Sequence, residues 1–216
     1  YEWAAPLRTI LHWWCTAQGQ QLVHGAAVGT ADGAVLITGK GGSGKSTTAL
    51  SALLAGMFYL GDDYVLCELS AGMAQVFSVF NSAKVDRNTL QRLALSPEQL
   101  MNRAAFLAPP QHGGEPEKGV LLVQKYYPTL VRQALPLRAI LAPQITDQPA
   151  TELYPLKPAQ AFLALTPTTV FQLPGAQQAA LAFLRRLVTQ LPCYQLRLGR
   201  DPAQTHTVIR SLIHTA

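Results

Sequence analysis

Residues 36–66 read LITGKGGSGKSTTALSALLAGMFYLGDDYVL. Residues 36–38 are apolar or β-branched, as in a strand covered on both faces. Residues 39–46, GKGGSGKS, match G-x-x-x-x-G-K-[ST] in full. The residues from Lys45 to Ala55 favour a helix that Gly56 stops. Strand, glycine loop and helix in that order define a phosphate-binding loop. A phosphate chain needs several backbone N–H groups converging on one point, and a glycine-rich turn lets the chain fold tightly enough to supply them. Gly39, Gly41, Gly42, Ser43, Gly44, Lys45, Ser46 and Thr47 are therefore the expected nucleotide-binding residues. The helix adds its N-terminal dipole. Lys45 is placed to reach the outer phosphates, and the Ser46 hydroxyl to ligate Mg²⁺.

Asp62 and Asp63 follow after only one helix and the start of the next strand, so that strand is expected close to the loop strand. One carboxylate can hold Mg²⁺ and the other can accept a proton from an incoming hydroxyl. Successive strand side chains point to opposite faces. Both carboxylates reach one site only if the strand ends or bends there, and Gly61 offers that bend. Asp62 is assigned to the metal with Ser46, and Asp63 to the base, without the sequence deciding between them.

Working outward, a helix is expected over residues 7–18 and a strand over QLVHGAAVG, turned back by TADG into AVLITG. MFYLGDDYVLCEL reads as one strand with the acidic pair in its middle. MAQVFSVFN reads as a strand, DRNTLQRLAL as a helix, and SPEQLMNRAAF as a helical turn boxed by Ser96 and Gln99. Further strands are expected in GVLLVQKYY, LRAILAPQI and YQLRLG, and helices over 176–190 and 203–214. The pattern is an α/β fold with a mixed sheet.

The chain has 216 residues, 49% of them hydrophobic and 13% charged, with net charge +5. That length suits one domain with one core, residues 1–216. Because the chain starts at Tyr1 without a methionine, residues or a domain upstream are expected. Apart from Arg185 and Arg186 the basic residues are dispersed, which disfavours nucleic acid as partner. Cys15, Cys67 and Cys193 fit no metal spacing and their odd number disfavours a disulfide scaffold, so a cytoplasmic setting is expected. No apolar run is long enough to span a membrane. The aromatic opening WAAPLRTILHWW reads as a helix packed on the domain.

From LVHG to LGDDYVL the chain resembles the catalytic domain of bacterial HPr kinase/phosphorylase, and as a whole a smaller bacterial group of HPr-kinase-like ATP-binding proteins. The likeness rests on His24-Gly25, on residues 36–39 leading into the loop, on Gly44-Lys45-Ser46, on the helix ending at Gly56, and on Asp62-Asp63. It implies a fold shared with phosphoenolpyruvate carboxykinase and an ATP- and Mg²⁺-dependent phosphoryl transfer to a serine hydroxyl. It places His24 near the phosphates and makes the aspartates metal ligand and base. It also admits a homo-oligomer. The chain departs from the family at Gly41-Gly42-Ser43 and Thr47, and lacks the glycine-rich segment with its following arginine that serves dephosphorylation. Phosphorylase activity and HPr as substrate are therefore not expected.

A transferring phosphoryl group needs positive charge beyond the loop lysine. Lys84 and Arg138, each interrupting an otherwise apolar or structured stretch, are the candidates, with Lys125 behind them; Arg87 and Arg103 read as solvated helix residues. Segment 108–118, with His112, reads as a lid that excludes water. Tyr64 and Phe80 read as core. The leading expectation is an ATP-dependent kinase acting on a serine of a protein or peptide or on a small-molecule alcohol. The alternative is a nucleotide-gated binding or assembly module, or an ATPase, with no hydroxyl acceptor.

Overall fold

The computed structural model of the chain describes residues 4–109 and 117–215. Eight α-helices and eleven strands are present among them. Helix α1 spans Arg8–Ala17, followed by β1 (Gln21–His24), β2 (Ala26–Thr30) and β3 (Gly33–Ile37). Helix α2 (Lys45–Leu54) leads to β4 (Phe58–Gly61), β5 (Tyr64–Ser70), β6 (Met73–Phe77) and β7 (Ser82–Val85). Next come α3 (Arg87–Arg92), a 3-10 turn at Pro97–Gln99, α4 (Arg103–Leu107), β8 (Gly119–Leu122), α5 (Val123–Tyr126) and β9 (Ala134–Ile145). The chain closes with β10 (Glu152–Pro155), α6 (Pro158–Gln172), α7 (Gln177–Gln190), β11 (Cys193–Leu198) and α8 (Ala203–Thr215).

The main sheet is mixed, in the order β1-β5-β6-β9-β3-β2-β4, with β11 added parallel to β9 and β10 antiparallel to β11. Strand β3 lies parallel to β9 and antiparallel to β2. Alternation along β3 divides the core. Val35 and Ile37 pack with α2 and α8 on one face, whereas Ala34 and Leu36 pack with α6 and α7 on the other. Burial on both faces explains why β3 reads as an unbroken apolar run.

Three strands expected to be continuous are broken. QLVHGAAVG divides at Gly25, so that β1 pairs with β5 while β2 pairs with β3 and β4. A Cβ on Gly25 would lie 2.7 Å from the carbonyl oxygen of Ile37, so the chain can change partners there only without a side chain. MFYLGDDYVLCEL divides at the acidic pair into β4 and β5. Strand β4 pairs with β2, which stands between it and the loop strand β3. GVLLVQKYY bends at Val123 into the short α5. Sequence periodicity missed β7, β10 and α6. Helix α6 carries Pro167 in its interior, which masks a helical pattern.

The capping box at Ser96 and Gln99 is present. Tyr64 and Phe80 lie in a small core cluster with Leu22 and Leu173. The three cysteines are free and buried. Helix α1 buries His12 and Cys15 and exposes Trp13 and Trp14. No helix among the described residues is long and apolar enough to cross a membrane.

Candidate active site

The glycine loop leaves the sheet at the C-terminal end of β3, where Thr38 N–H donates to the Leu141 carbonyl at 2.8 Å. It enters α2 through Gly44, whose φ of 100° lies in the left-handed region. A Cβ there would come within 2.7 Å of Leu198 Cδ1. The left-handed conformation favours glycine at this position, and a side chain there would also have to displace the tip of Leu198. Lys45 is only 8% exposed and folds back over the loop. Its Nζ donates to the carbonyls of Gly39 (2.7 Å) and Lys40 (3.0 Å). Burial lowers its pKa, while Asp62 and Asp63 pull the other way.

The acidic pair occupies the corner between β4 and β5. Tyr64 N–H donates to the Asp62 carbonyl at 2.9 Å, and Gly25 N–H to the Asp63 carbonyl at 3.1 Å. Asp63 has φ 72°, a left-handed conformation rare for a residue with a Cβ. That turn cancels the alternation of a strand, and both carboxylates face one cleft.

The two carboxylates have different company. Asp62, 1% exposed, accepts from Ser46 Oγ on one oxygen and from Lys84 N–H on the other, each at 3.0 Å. Burial raises its pKa, and the neighbouring Asp63 raises it further. Asp63 Oδ1 lies 3.2 Å from His24 Nε2, and Oδ2 lies 2.8 Å from Lys84 Nζ. Burial alone would raise the Asp63 pKa, but the His24 hydrogen bond and the Lys84 ammonium outweigh it and bring it to about 2. An ionised Asp63 accepts only, which assigns the Nε2 proton to His24. The imidazole stands edge-on to Tyr64, and its backbone N–H donates to Thr169 Oγ1 at 3.2 Å.

Loop and corner share a cleft of about 710 Å³. Of the expected residues, Gly41, Gly42, Gly44, Lys45, Ser46, Thr47, His24, Asp62, Asp63 and Lys84 border it. Gly39 and Ser43 stand back in the loop, in contact with each other. Arg138 stands away from the cleft: it packs on Gly33 at the opposite end of β3, with Nε donating to the Asp32 carbonyl at 2.8 Å. The strand's apolar pattern singled it out, but an exposed arginine on a long strand reaches only its own end. Lys125 lies on α5 over the Tyr126 ring. Arg87 caps the carbonyls of Phe106 and Ala108, and Arg103 pairs with Glu98 on the surface. His112 and most of the expected lid, residues 110–116, lie outside the described residues.

Sequence reasoning missed Asn88, Arg92 and Ile145, which also line the cleft, and Lys118, from the expected lid segment, borders it too. Asn88 and Arg92 sit on α3, whose Asp86 N-cap accepts from Thr89 N–H at 2.7 Å. The helix is expected from DRNTLQRLAL, but its proximity to the loop is not. Thr89 Oγ1 meets Thr47 Oγ1 at 2.8 Å and ties α3 to the loop helix.

Among the described residues no group of three or more His, Cys, Asp or Glu side chains could hold a metal. A hydroxyl and a carboxylate 3.0 Å apart, as in Ser46 and Asp62, nonetheless fit Mg²⁺, which takes one or two protein oxygens and completes its shell with phosphate and water.

No protein-family model matches the chain, and no curated protein matches it in sequence. Among solved structures it is similar to the Hpr(Ser) kinase/phosphatase from Coxiella burnetii, at 12% identity and a TM-score of 0.46, over 88% of this chain and 95% of that one.

Proposed function

We propose that the chain binds a nucleoside triphosphate, ATP first, and transfers its terminal phosphoryl group to a hydroxyl. The observation that carries this is the single cleft joining a complete phosphate loop to a buried acidic corner through the Ser46–Asp62 hydrogen bond. The backbone N–H groups of Gly42, Gly44 and Lys45 cradle the phosphates, and Lys45 exchanges its loop carbonyls for phosphate oxygens. Ser46 and Asp62 would hold Mg²⁺, which neutralises charge on the phosphates when bound. Asp63 orients the acceptor hydroxyl and takes its proton. A carboxylate with a pKa near 2 is a weak base. Phosphoryl transfer through a loose transition state asks mainly for orientation, because the hydroxyl becomes acidic late. His24 holds Asp63 in place, and Lys84, between both aspartates, is positioned to meet charge on the moving phosphoryl group. The acceptor is a serine of a protein or peptide, or a small alcohol. In this proposal the chain stands with the HPr-kinase-like group, and its fold with that of phosphoenolpyruvate carboxykinase.

A second reading has its own support. Both Asp63 oxygens are already engaged, one by His24 and one by Lys84. A site so occupied suits an ATPase or a nucleotide-gated assembly module with no acceptor. The two are separated by incubating the protein with Mg²⁺ and γ-labelled ATP, alone and with extract of its own organism, beside the Asp63→Asn variant. Kinase activity gives a labelled band or metabolite that needs extract and vanishes in the variant. Tight ATP binding with no labelled acceptor, and hydrolysis unchanged in Asp63→Asn, would remove Asp63 from the chemistry and favour the gated module.

A further inference from the structure

The nucleotide assignment above leaves the base and ribose without a seat. A phosphate chain laid across the loop with its reacting end at Asp62 and Asp63 must emerge at the other end of the cleft. There the cleft meets a notch of about 40 Å³, and Gly44, Thr47, Arg92 and Ile145 border both. Asp62, Asp63, His24 and Lys84 border the cleft alone.

Strand register explains this wall. The last residue of β3, Ile37, pairs with Leu141, yet β9 continues to Ile145 and stays parallel to β11 as far as the Ile145–Leu198 pair. Two strands thus project about four residues, or roughly 13 Å, beyond the strand that launches the loop. Ile145 shares the strand face of Ala139 and Leu141, and Leu198 that of Leu196, all toward α2. The loop rests against them, since a Cβ on Gly44 would lie 2.7 Å from Leu198 Cδ1 and 3.7 Å from Ile145 Cγ1.

Ile145 nevertheless remains 58% exposed, a large apolar side chain at the mouth of a polar cleft. Thr48 Oγ1, buried on the floor of the notch, has no hydrogen-bond partner among the described residues. An open apolar shelf at the C-terminal ends of parallel strands, with an unused hydroxyl behind it, is where an α/β sheet receives a ligand.

The geometry points to Ile145, backed by Leu198, as the platform for the nucleobase, with the Arg92 guanidinium bordering the same notch to stack on the ring and Thr47 and Thr48 facing the ribose. This rests on the nucleotide assignment. It adds which residues distinguish a nucleoside triphosphate from a bare polyphosphate: the loop binds both alike, and the platform binds only the nucleoside.

The test titrates Mg-ATP and Mg-tripolyphosphate separately into the intact chain and into Ile145→Ser. Leu163→Ser, a still more exposed apolar position on α6 that borders neither space, is the control. Ile145→Ser should weaken ATP by about five- to tenfold and leave tripolyphosphate within about twofold. Ile145→Leu, which keeps the apolar surface, should restore ATP binding, whereas a variant that merely damaged the fold would lose both ligands. Unchanged ATP affinity in Ile145→Ser, or an equal loss for both ligands, would overturn the platform. Failure of tripolyphosphate to bind the unsubstituted chain would overturn the phosphate-loop assignment itself, and the platform with it.

Discussion

The glycine loop and the acidic corner face each other across one cleft and are built in opposite ways. The loop works with backbone donors, uses glycine to aim them, and folds its one charged side chain onto its own carbonyls. The corner works with side chains drawn from β1, α2 and β7, and strains one backbone residue, Asp63, to aim them. A loop of the first kind tolerates many ligands that carry phosphate. A corner of the second kind is specific in geometry and sensitive to any one partner.

The two designs predict different failures. Lys45→Ala should impair nucleotide binding and turnover together, by roughly 100-fold or more in kcat/KM, because in the proposed reaction the loop serves ground and transition states alike. Calorimetric titration beside steady-state rates checks this. Asp63→Asn should lower turnover by about 100-fold while the ATP Kd stays within about threefold, since in the proposed reaction the corner acts at the acceptor. A large change in Kd for Asp63→Asn would erase the division between the regions.

Smaller effects probe the corner's internal contrast. Asp62 is a buried carboxylate whose raised pKa makes its ionised form costly at neutral pH. Asp62→Asn keeps an oxygen for Ser46 or Lys84 N–H and removes that charge, so Tm at pH 7 should rise by about 3 °C even as activity falls. Asp63 has the reverse sign: its folded pKa of about 2 lies below its ordinary 3.8. Its contribution to stability is therefore complete above pH 4 and lost as pH falls toward 2. Acid unfolding of Asp63→Asn should be flatter across that window than that of the unsubstituted chain. Identical acid limbs would show that the His24 and Lys84 contacts do not hold the carboxylate in solution.

Much of this cleft was legible in residues 36–66. The strand, loop and helix are local, and each is encoded by neighbours in the chain. Lys84 was picked out as a charge interrupting a structured stretch, and its place between the aspartates bears on the same cleft. Arg138 was picked out for the same reason and lies at the far end of the sheet. The difference between them is invisible in one dimension, since both interrupt apolar or structured stretches. The break at Gly25 is equally hidden, and the one at Asp62-Asp63 shows in the sequence only as a bend that Gly61 allows, because each is a change of strand partner. Helix α6 escaped because Pro167 contradicts it locally, and its burial against α7 and β1 overrides that preference.

By itself the sequence determined the glycine loop, its flanking strand and helix, the existence of an acidic pair near them, and a mixed α/β pattern. These depend on backbone freedom at glycine, on helix propensity and on apolar periodicity, all properties of short segments. Only the tertiary structure decided that the two aspartates turn to the same side, that Asp62 is paired with Ser46 while Asp63 is paired with His24 and Lys84, and that Ile145 stands open beside the loop. Those outcomes depend on which strands lie side by side and how far each projects. Sheet pairing joins residues distant in the chain through backbone hydrogen bonds that carry no side-chain label, and the order of strands cannot be read from any one of them.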